Sequence, residues 1–316
     1  MNGLIAVLEK ELADNFASRR FLILFSIICL AGLSATYVAA QAMREVVSAT
    51  PNIDFVFLKL FTVQREGTSL PNFITFLSFL GPLVGIALGF DAINSEKANG
   101  TLSRVLSQPV YRDAVINGKF LAGLATIAVM LLSIVLIVSG LGLRLIGIPP
   151  TFDEVMRLLS FMMISVVFIA FWMGIAILFS ILFRQTATAA LAGIATWIFF
   201  TFFMPMIAGL VAGAMIPVRF EADLERILLQ EDVRAMVARL SPNTLFAEAV
   251  IPILVPQVNT LRFLFPSEQI GMLLNPLPLN QSLMVVWPQI VALMALTLIC
   301  FAISYVKFMR EEIRSS

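Results

Sequence analysis

No histidine occurs anywhere in the 316 residues. That absence removes Ser-His-Asp and Cys-His catalysis, His-ligated zinc and His-ligated haem. Cysteine is almost missing too. Cys29 and Cys300 each stand alone inside an apolar run, so they make no CxxC pair and no metal set. They read as small buried apolar side chains. No Walker A, G-x-S-x-G or H-E-x-x-H pattern is present. Charge is also scarce. Only 13% of residues are Asp, Glu, Lys or Arg, against roughly a quarter in ordinary soluble domains. A net charge of +1 argues against a nucleic-acid partner.

What fills the chain instead is apolar sequence, 59% of it, with a mean hydropathy of +0.96. A soluble surface cannot be built from that, so the chain reads as an integral membrane protein. A helix needs about 20 apolar residues to cross a bilayer. Six stretches qualify, near residues 21–43, 72–92, 119–142, 158–182, 185–218 and 286–307. The expected fold is an all-α integral membrane protein with six transmembrane helices. Ionisable residues are essentially absent from these spans. Ion- or proton-coupled transport and intramembrane catalysis usually keep such groups inside the membrane, so both are disfavoured. Asp91, at the end of span 2, is the nearest candidate, and a structural role suits it better.

Residues 1–20 place Leu4, Leu8, Leu12 and Phe16 at four-residue spacing, with Glu9, Lys10, Glu11 and Asp14 on the other side. This pattern predicts an amphipathic helix lying in the membrane interface, and it suits a partner's groove equally well. The uncharged run 185–218 is longer than one straight span needs, and Pro205, Gly209 and Gly213 mark its expected irregularity. Gly209 and Gly213 form a GxxxG, a weak signal in apolar sequence. Residues 219–284 form the longest segment outside the spans. Within it, 221–240 predicts an amphipathic helix with Leu224, Ile227, Leu228, Val233, Met236, Val237 and Leu240 facing inward, and 245–253 a second short helix. The pair reads as a cap packed on the span ends. Thr151-Phe152-Asp153-Glu154 reads as a capping box opening span 4.

Orientation rests on Lys and Arg, 21 in all. They divide almost evenly between the two sides. However, half of those on the outer side fall in 219–284, and long loops count little in this rule. Both termini are therefore expected in the cytoplasm.

The polar segment from Phe90 to Arg112 lies between the apolar runs 67–90 and 120–143. Leu102, Val105 and Leu106 fall on one helical face, and Pro109 ends the helix. A short amphipathic helix there would lie across the mouth of two spans, where a cytoplasmic partner could push it. A solvated loop with helical propensity fits the same pattern. With no nucleotide site and no coupling-ion site in view, a six-span protein is expected to borrow its energy from a partner.

The residues Phe90-Asp91-Ala92-Ile93, Glu96, Gly100-Thr101-Leu102, Leu106-Ser107-Gln108-Pro109-Val110, Arg112 and Gly118-Lys119-Phe120 resemble the cytoplasmic loop of ABC-2-type permeases, in particular the NosY-like group. Leu240-Ser241-Pro242 with Leu245-Phe246, and Arg310-Glu311-Glu312-Ile313-Arg314, resemble the same group. The resemblance implies a non-enzymatic permease subunit in the cytoplasmic (inner) membrane. It implies pairing with a second copy or a related permease, and with two copies of a separate ABC ATPase that would hold the ATP and magnesium; no cofactor is expected in this chain. It implies that the loop 93–118 carries a coupling helix, with Glu96, Gly100, Thr101, Leu102, Arg104, Val105, Leu106 and Ser107 as contact candidates. The N-terminal helix, with Leu4, Leu8, Leu12 and Phe16, corresponds to the family's interfacial helix. The expected organisation is then 1–20 interfacial helix, 21–218 spans 1–5 with the coupling loop, 219–284 small helical extracytoplasmic segment, and 285–316 span 6 with a cytoplasmic tail. An exported substrate is implied, and an extracytoplasmic protein is a further candidate partner. The competing reading is a membrane scaffold or assembly protein that works through 219–284 and transports nothing.

Overall fold

The computed structural model describes residues 2–49, 55–63, 71–98, 100, 111–217, 224–256 and 277–310. Among these residues every regular element is helical. Helix α1 (Asn2–Ala17) precedes α2 (Arg19–Ala49), whose Arg19–Met43 part is span 1. A short α3 (Val56–Thr62) leads to α4 (Phe73–Gly89) and α5 (Asn94–Ala98), which together make span 2. Span 3 is α6 (Arg112–Ile146) and span 4 is α7 (Phe152–Leu182). Span 5 (Thr186–Met215) is α8 (Thr186–Ile198), a π turn (Phe199–Phe203) and α9 (Met204–Met215). Then come α10 (Leu224–Ala238), α11 (Pro242–Leu254) and α12 (Leu279–Arg310), the last being span 6.

Six spans put α1 and the end of α12 on one side of the membrane, here the terminal side; the opposite side is the far side. In hydrocarbon each backbone group must bond within its own helix, which is why each apolar run becomes one helix. Several helices outrun their apolar cores because charged turns continue them into water. Span 3 starts at Arg112 rather than near 119, with Asp113 in its first turn, where the helix dipole favours an acid. Thr151 and Glu154 form the expected capping box at the start of span 4.

Span 4 is the central post, and Trp172 near its middle is fully buried. Lipid tails are as apolar as side chains, so contact between spans depends on close packing around small residues. Span 2 offers Gly81, Gly85 and Gly89 on one face. A Cβ at Gly85 would stand 2.5 Å from the Ile169 carbonyl oxygen, and one at Gly89 would stand 2.6 Å from that of Met173. Span 6 lies against span 4, where the Thr297 hydroxyl is 3.5 Å from the Val167 carbonyl oxygen.

The irregularity in span 5 comes before Pro205, not at the glycines. Met204 N–H donates back to the Phe199 carbonyl, five residues earlier. Pro205 has no N–H, so the Phe200 carbonyl loses its helical donor. The Ser241 hydroxyl supplies one at 3.2 Å, and Asn243 Nδ2 donates to Thr201 Oγ1 at 2.8 Å. Gly209 has nothing within 4 Å of an added Cβ, and Gly213 meets only the Gln230 side chain at 3.7 Å, so among the described residues the GxxxG makes no close helix–helix seat.

Those two hydrogen bonds place Ser241 and Asn243 at the middle of span 5. Phe246 then stacks on Phe168, midway along span 4, with ring centroids 4.3 Å apart. Gln230 of α10 lies beside Gly213 of α9. Helices α10 and α11 therefore form a hairpin that enters the bundle from the far side and turns back at Leu240–Ser241. This replaces the expected cap resting on the span ends. Helix α11 can enter because it is apolar on its packed face; Phe246, Ala249, Val250 and Ile253 are fully buried. In α10, Ile227, Leu228, Val233 and Val237 are half-buried as the periodicity predicts. Met236 and Leu240, also expected inward, are instead 66% exposed. Among the described residues the helix packs chiefly on span 5, which covers a narrower stripe than a core would.

Arg157 ties the far side together. Fully buried, it donates to Asp153 Oδ2 at 2.6 Å, to the Ile253 carbonyl at 2.9 Å and to the Leu277 carbonyl at 2.6 Å. Its guanidinium lies over the Phe55 ring at 5.1 Å. Neighbouring Glu154 accepts from Phe57 N–H at 2.9 Å. One turn of span 4 thus fixes α3, the end of α11 and the approach to span 6.

Candidate coupling site

Helix α4 ends at Gly89, and the chain turns through Phe90–Ile93 into α5. The start of α5 has unused N–H groups, as every helix does. Ser180, buried at the end of span 4, accepts two of them: Ile93 N–H at 2.9 Å and Asn94 N–H at 3.1 Å. The stem of the loop is therefore bonded to span 4 as well as being continuous with span 2.

Glu96, in the first turn of α5, faces Lys119 of span 3. The Lys119 ammonium lies 2.9 Å from Glu96 Oε1 and 2.7 Å from Glu11 Oε1 of α1. The three side chains are 7%, 14% and 16% exposed, in the order Lys119, Glu96, Glu11. Lys10 closes the group from the water side, 3.1 Å from Glu11 and 3.9 Å from Glu96. One lysine thereby joins α1, α5 and span 3. Burial alone would raise the Glu11 pKa, but the Lys119 charge and hydrogen bond, with help from Lys10, outweigh it and leave it lowered. For Lys10 burial alone would lower the pKa. The hydrogen bond it donates to Glu11 and the charges of Glu11, Glu96 and Asp14 outweigh it, and the pKa is raised.

A second tie lies further along, at the start of span 1. Arg20 pairs with Asp91, and its guanidinium stands over the Phe90 ring at 5.0 Å. A cleft of about 180 Å³ sits beside the pair, lined by Asp14, Asn15 and Ser18 on one wall and Val84, Ala87 and Leu88 on the other. Helix α1 is seated along span 3 rather than lying apart from it. Asn15 Nδ2 donates to Thr126 Oγ1 at 3.2 Å, and Val7 packs so closely on Gly118 that a Cβ there would stand 2.7 Å from its Cγ1.

Of the residues singled out in the sequence, Glu96 stands at the centre of the charge cluster. Gly100 has φ +64, a conformation that favours glycine. Thr101, Leu102, Arg104, Val105, Leu106 and Ser107 lie outside the described residues. Leu4, Leu8 and Leu12 are half-buried, while Phe16 is exposed and meets the Phe21 ring edge-on at 5.2 Å. Glu11 differs from expectation. Periodicity put it on the polar face, yet it turns toward Lys119. Ser180, Arg20 and Lys10 were not marked as site residues. A partial signal existed: Lys10, Glu11, Arg20, Asp91, Glu96 and Lys119 all fall at predicted ends of spans on one side.

Comparison with known proteins gives the family. Residues 5–313 match the family model described as ABC-2 family transporter protein. The chain is 30% identical over 115 residues to a probable ABC transporter permease protein NosY of Pseudomonas aeruginosa, covering 36% of each chain. It is 26% identical over 154 residues to the Stutzerimonas stutzeri protein of the same name, covering 46% of this chain and 50% of the relative. The chain thus spans between about a third and a half of the length of the curated relatives it matches. The family match runs through all six spans and the loop stem at Glu96, and the chain belongs to the ABC-2 transporter family.

Proposed function

We propose that this chain is the membrane-spanning, non-catalytic permease subunit of an ABC transporter, driven by a separate ATPase that docks on the loop 93–118. The terminal side is then cytoplasmic, the membrane is the cytoplasmic membrane, and the far side is extracytoplasmic. Two permease copies pair, two ATPase copies bind beneath them with ATP and magnesium, and the substrate is exported. The observation that carries this reading is the three-way attachment of the loop stem. It is covalently continuous with span 2, hydrogen-bonded through Ser180 to span 4, and ion-paired through Lys119 to span 3 and α1.

That attachment supplies a mechanical path. When ATP closes the ATPase dimer, its cleft carries residues 96–107 with it. A flexible loop would absorb the motion. A stem bonded to three spans passes it on, so spans 2, 3 and 4 tilt together. The close seats of Gly85 and Gly89 on span 4 keep spans 2 and 4 from slipping past each other.

The test is purification of the tagged full chain from its native membrane in mild detergent, with mass identification of what accompanies it. A stoichiometric ATPase is expected, and it should be lost when Leu102→Asp and Leu106→Asp are introduced together. A clean preparation with no ATPase, or one whose ATPase ignores that double change, overturns the reading.

A further inference from the structure

Spans 4 and 6 touch along their middle, at Thr297 beside Val167 and at Cys300 beside Gly174. Toward the terminal side they leave a groove of about 700 Å³ between them. Its walls are the aliphatic side chains of Ile181 and Leu182 from span 4 and of Ile303 and Val306 from span 6. At its mouth stand Lys307 and Arg310, both exposed, and no acid lines it among the described residues. Arg184, two residues past Leu182, is exposed at the same end of span 4.

This is an amphipathic site with a fixed order. The apolar walls lie at the depth of lipid tails, and the cations lie where span 6 leaves the membrane. The Lys307–Arg310 spacing of one helical turn puts both heads on one side of α12. A zwitterionic headgroup offers no net charge to such a mouth. A soluble anion has no use for the walls. An acyl chain joined to an anionic phosphate satisfies both. Basic pockets between membrane helices recognise anionic lipid headgroups by this combination.

We propose that the groove between the ends of spans 4 and 6 is a binding site for an anionic phospholipid, with one acyl chain against Ile181, Leu182, Ile303 and Val306 and the phosphate at Lys307 and Arg310. Only the choice of leaflet, the cytoplasmic one, rests on the reading under Proposed function. Occupancy would brace the end of span 4, which carries Ser180 and hence the stem of α5.

The full chain in mild detergent is mixed with equal amounts of phosphatidylglycerol and phosphatidylcholine, and retained lipid is counted by native mass spectrometry. The wild-type chain should retain phosphatidylglycerol preferentially. Each basic side chain near the headgroup is worth about fivefold, so Lys307→Ala with Arg310→Ala should lower the preference about thirtyfold. Lys307→Arg should keep it. Ala302→Phe, at an exposed groove position, should fill the space and reduce retention while both cations remain. Equal retention of the two lipids by the wild-type chain means annular lipid only and overturns the proposal. So does an unchanged preference in the double variant, or full retention in Ala302→Phe. No ATPase enters this assay, so its result stands or falls apart from the permease reading.

Discussion

The Lys119 ammonium of span 3 lies 2.9 Å from Glu96 of α5, and the lysine side chain is only 7% exposed. Two carboxylates, Glu96 and Glu11, lie within ion-pair distance of this covered lysine. The pairing is therefore asymmetric in its consequences. Replacing all three by apolar groups could be nearly neutral, whereas removing one leaves its partners stranded.

Lys119→Met should therefore be costly. It leaves two largely covered carboxylates facing each other with only the exposed Lys10 beside them on the water side. Fully buried pairs broken in this way lose about 3–5 kcal/mol, and the residual exposure of Glu11 and Glu96 puts this one nearer 2–3 kcal/mol. The loss should appear as local release of α1. Hydrogen exchange of the α1 amides should speed up by one to two orders of magnitude while span 4 stays protected. Lys119→Arg should keep most of the protection. Unchanged exchange in Lys119→Met would mean that Val7, Gly118 and the Asn15–Thr126 contact seat α1 without help from charge.

The same cluster should respond to pH in a definite direction. Glu11 is more acidic when folded than when free. Its contribution is fully present above the ordinary Glu pKa of 4.5 and is lost as pH falls through its lowered folded value. Lys10 is shifted up from 10.5, so its contribution is present below that value and is lost as pH rises through its higher folded one. Lys10 is more than half exposed, so the alkaline limb should be shallow. Exchange of the α1 amides should therefore be flat from about pH 5 to 9 after correction for intrinsic rates, and should rise on acidification. Glu11→Gln should remove most of the acid limb. A wild-type profile that rises near neutrality would contradict the assignment, because the chain contains no histidine to titrate there.

The spans were legible in the sequence because the bilayer imposes one crude rule, an uncharged run of sufficient length. Long apolar α6 and α12 could hardly be missed. Their true ends were harder, since Arg112 and Asp113 continue a helix as readily as they end a hydropathy run. The hairpin of α10 and α11 was legible as two helices but not as an inserted pair. Its depth depends on Ser241 answering a carbonyl orphaned by Pro205, and on Phe246 finding Phe168; both are contacts between segments far apart in the chain. At the charge cluster beneath span 3 the resemblance pointed to Glu96. It did not point to Glu11, whose helical position reads as solvent until span 3 presents Lys119.

Close packing of spans 2 and 4 yields a paired prediction. At Gly85 an added Cβ would meet backbone, the Ile169 oxygen at 2.5 Å and the Met173 nitrogen at 2.8 Å, and neither can swing aside. Gly85→Ala should then push the spans apart, at a cost of about 1–3 kcal/mol as for other overpacked cores. Gly209→Ala meets nothing within 4 Å in the same chain, and helix propensity alone favours the change. Unfolding by added anionic detergent should shift to lower detergent for Gly85→Ala and stay level or rise for Gly209→Ala. Equal behaviour of the two would show that spans 2 and 4 separate before the unfolding step that is measured.

Arg157 offers the sharpest test of the far side. Its guanidinium serves the Ile253 and Leu277 carbonyls and the Asp153 carboxylate together, and Phe55 beneath it holds a left-handed backbone at φ 57. For a bulky residue that conformation costs about 1–2 kcal/mol, so the cation–π contact stabilises a local strain. A lysine has the charge but not the planar fork, and it can reach only part of this set. Arg157→Lys should therefore behave much like Arg157→Met. Each leaves at least one buried carbonyl without a donor, at about 1–3 kcal/mol apiece. The end of α11 should loosen first, since Ile253 is held there by little else that is polar. Proteolysis from the far side should then cut near Val255 in both variants and leave the α1 cluster intact. If Arg157→Lys resisted cleavage as the wild-type chain does, charge alone would hold the hairpin, and the fork geometry would be incidental.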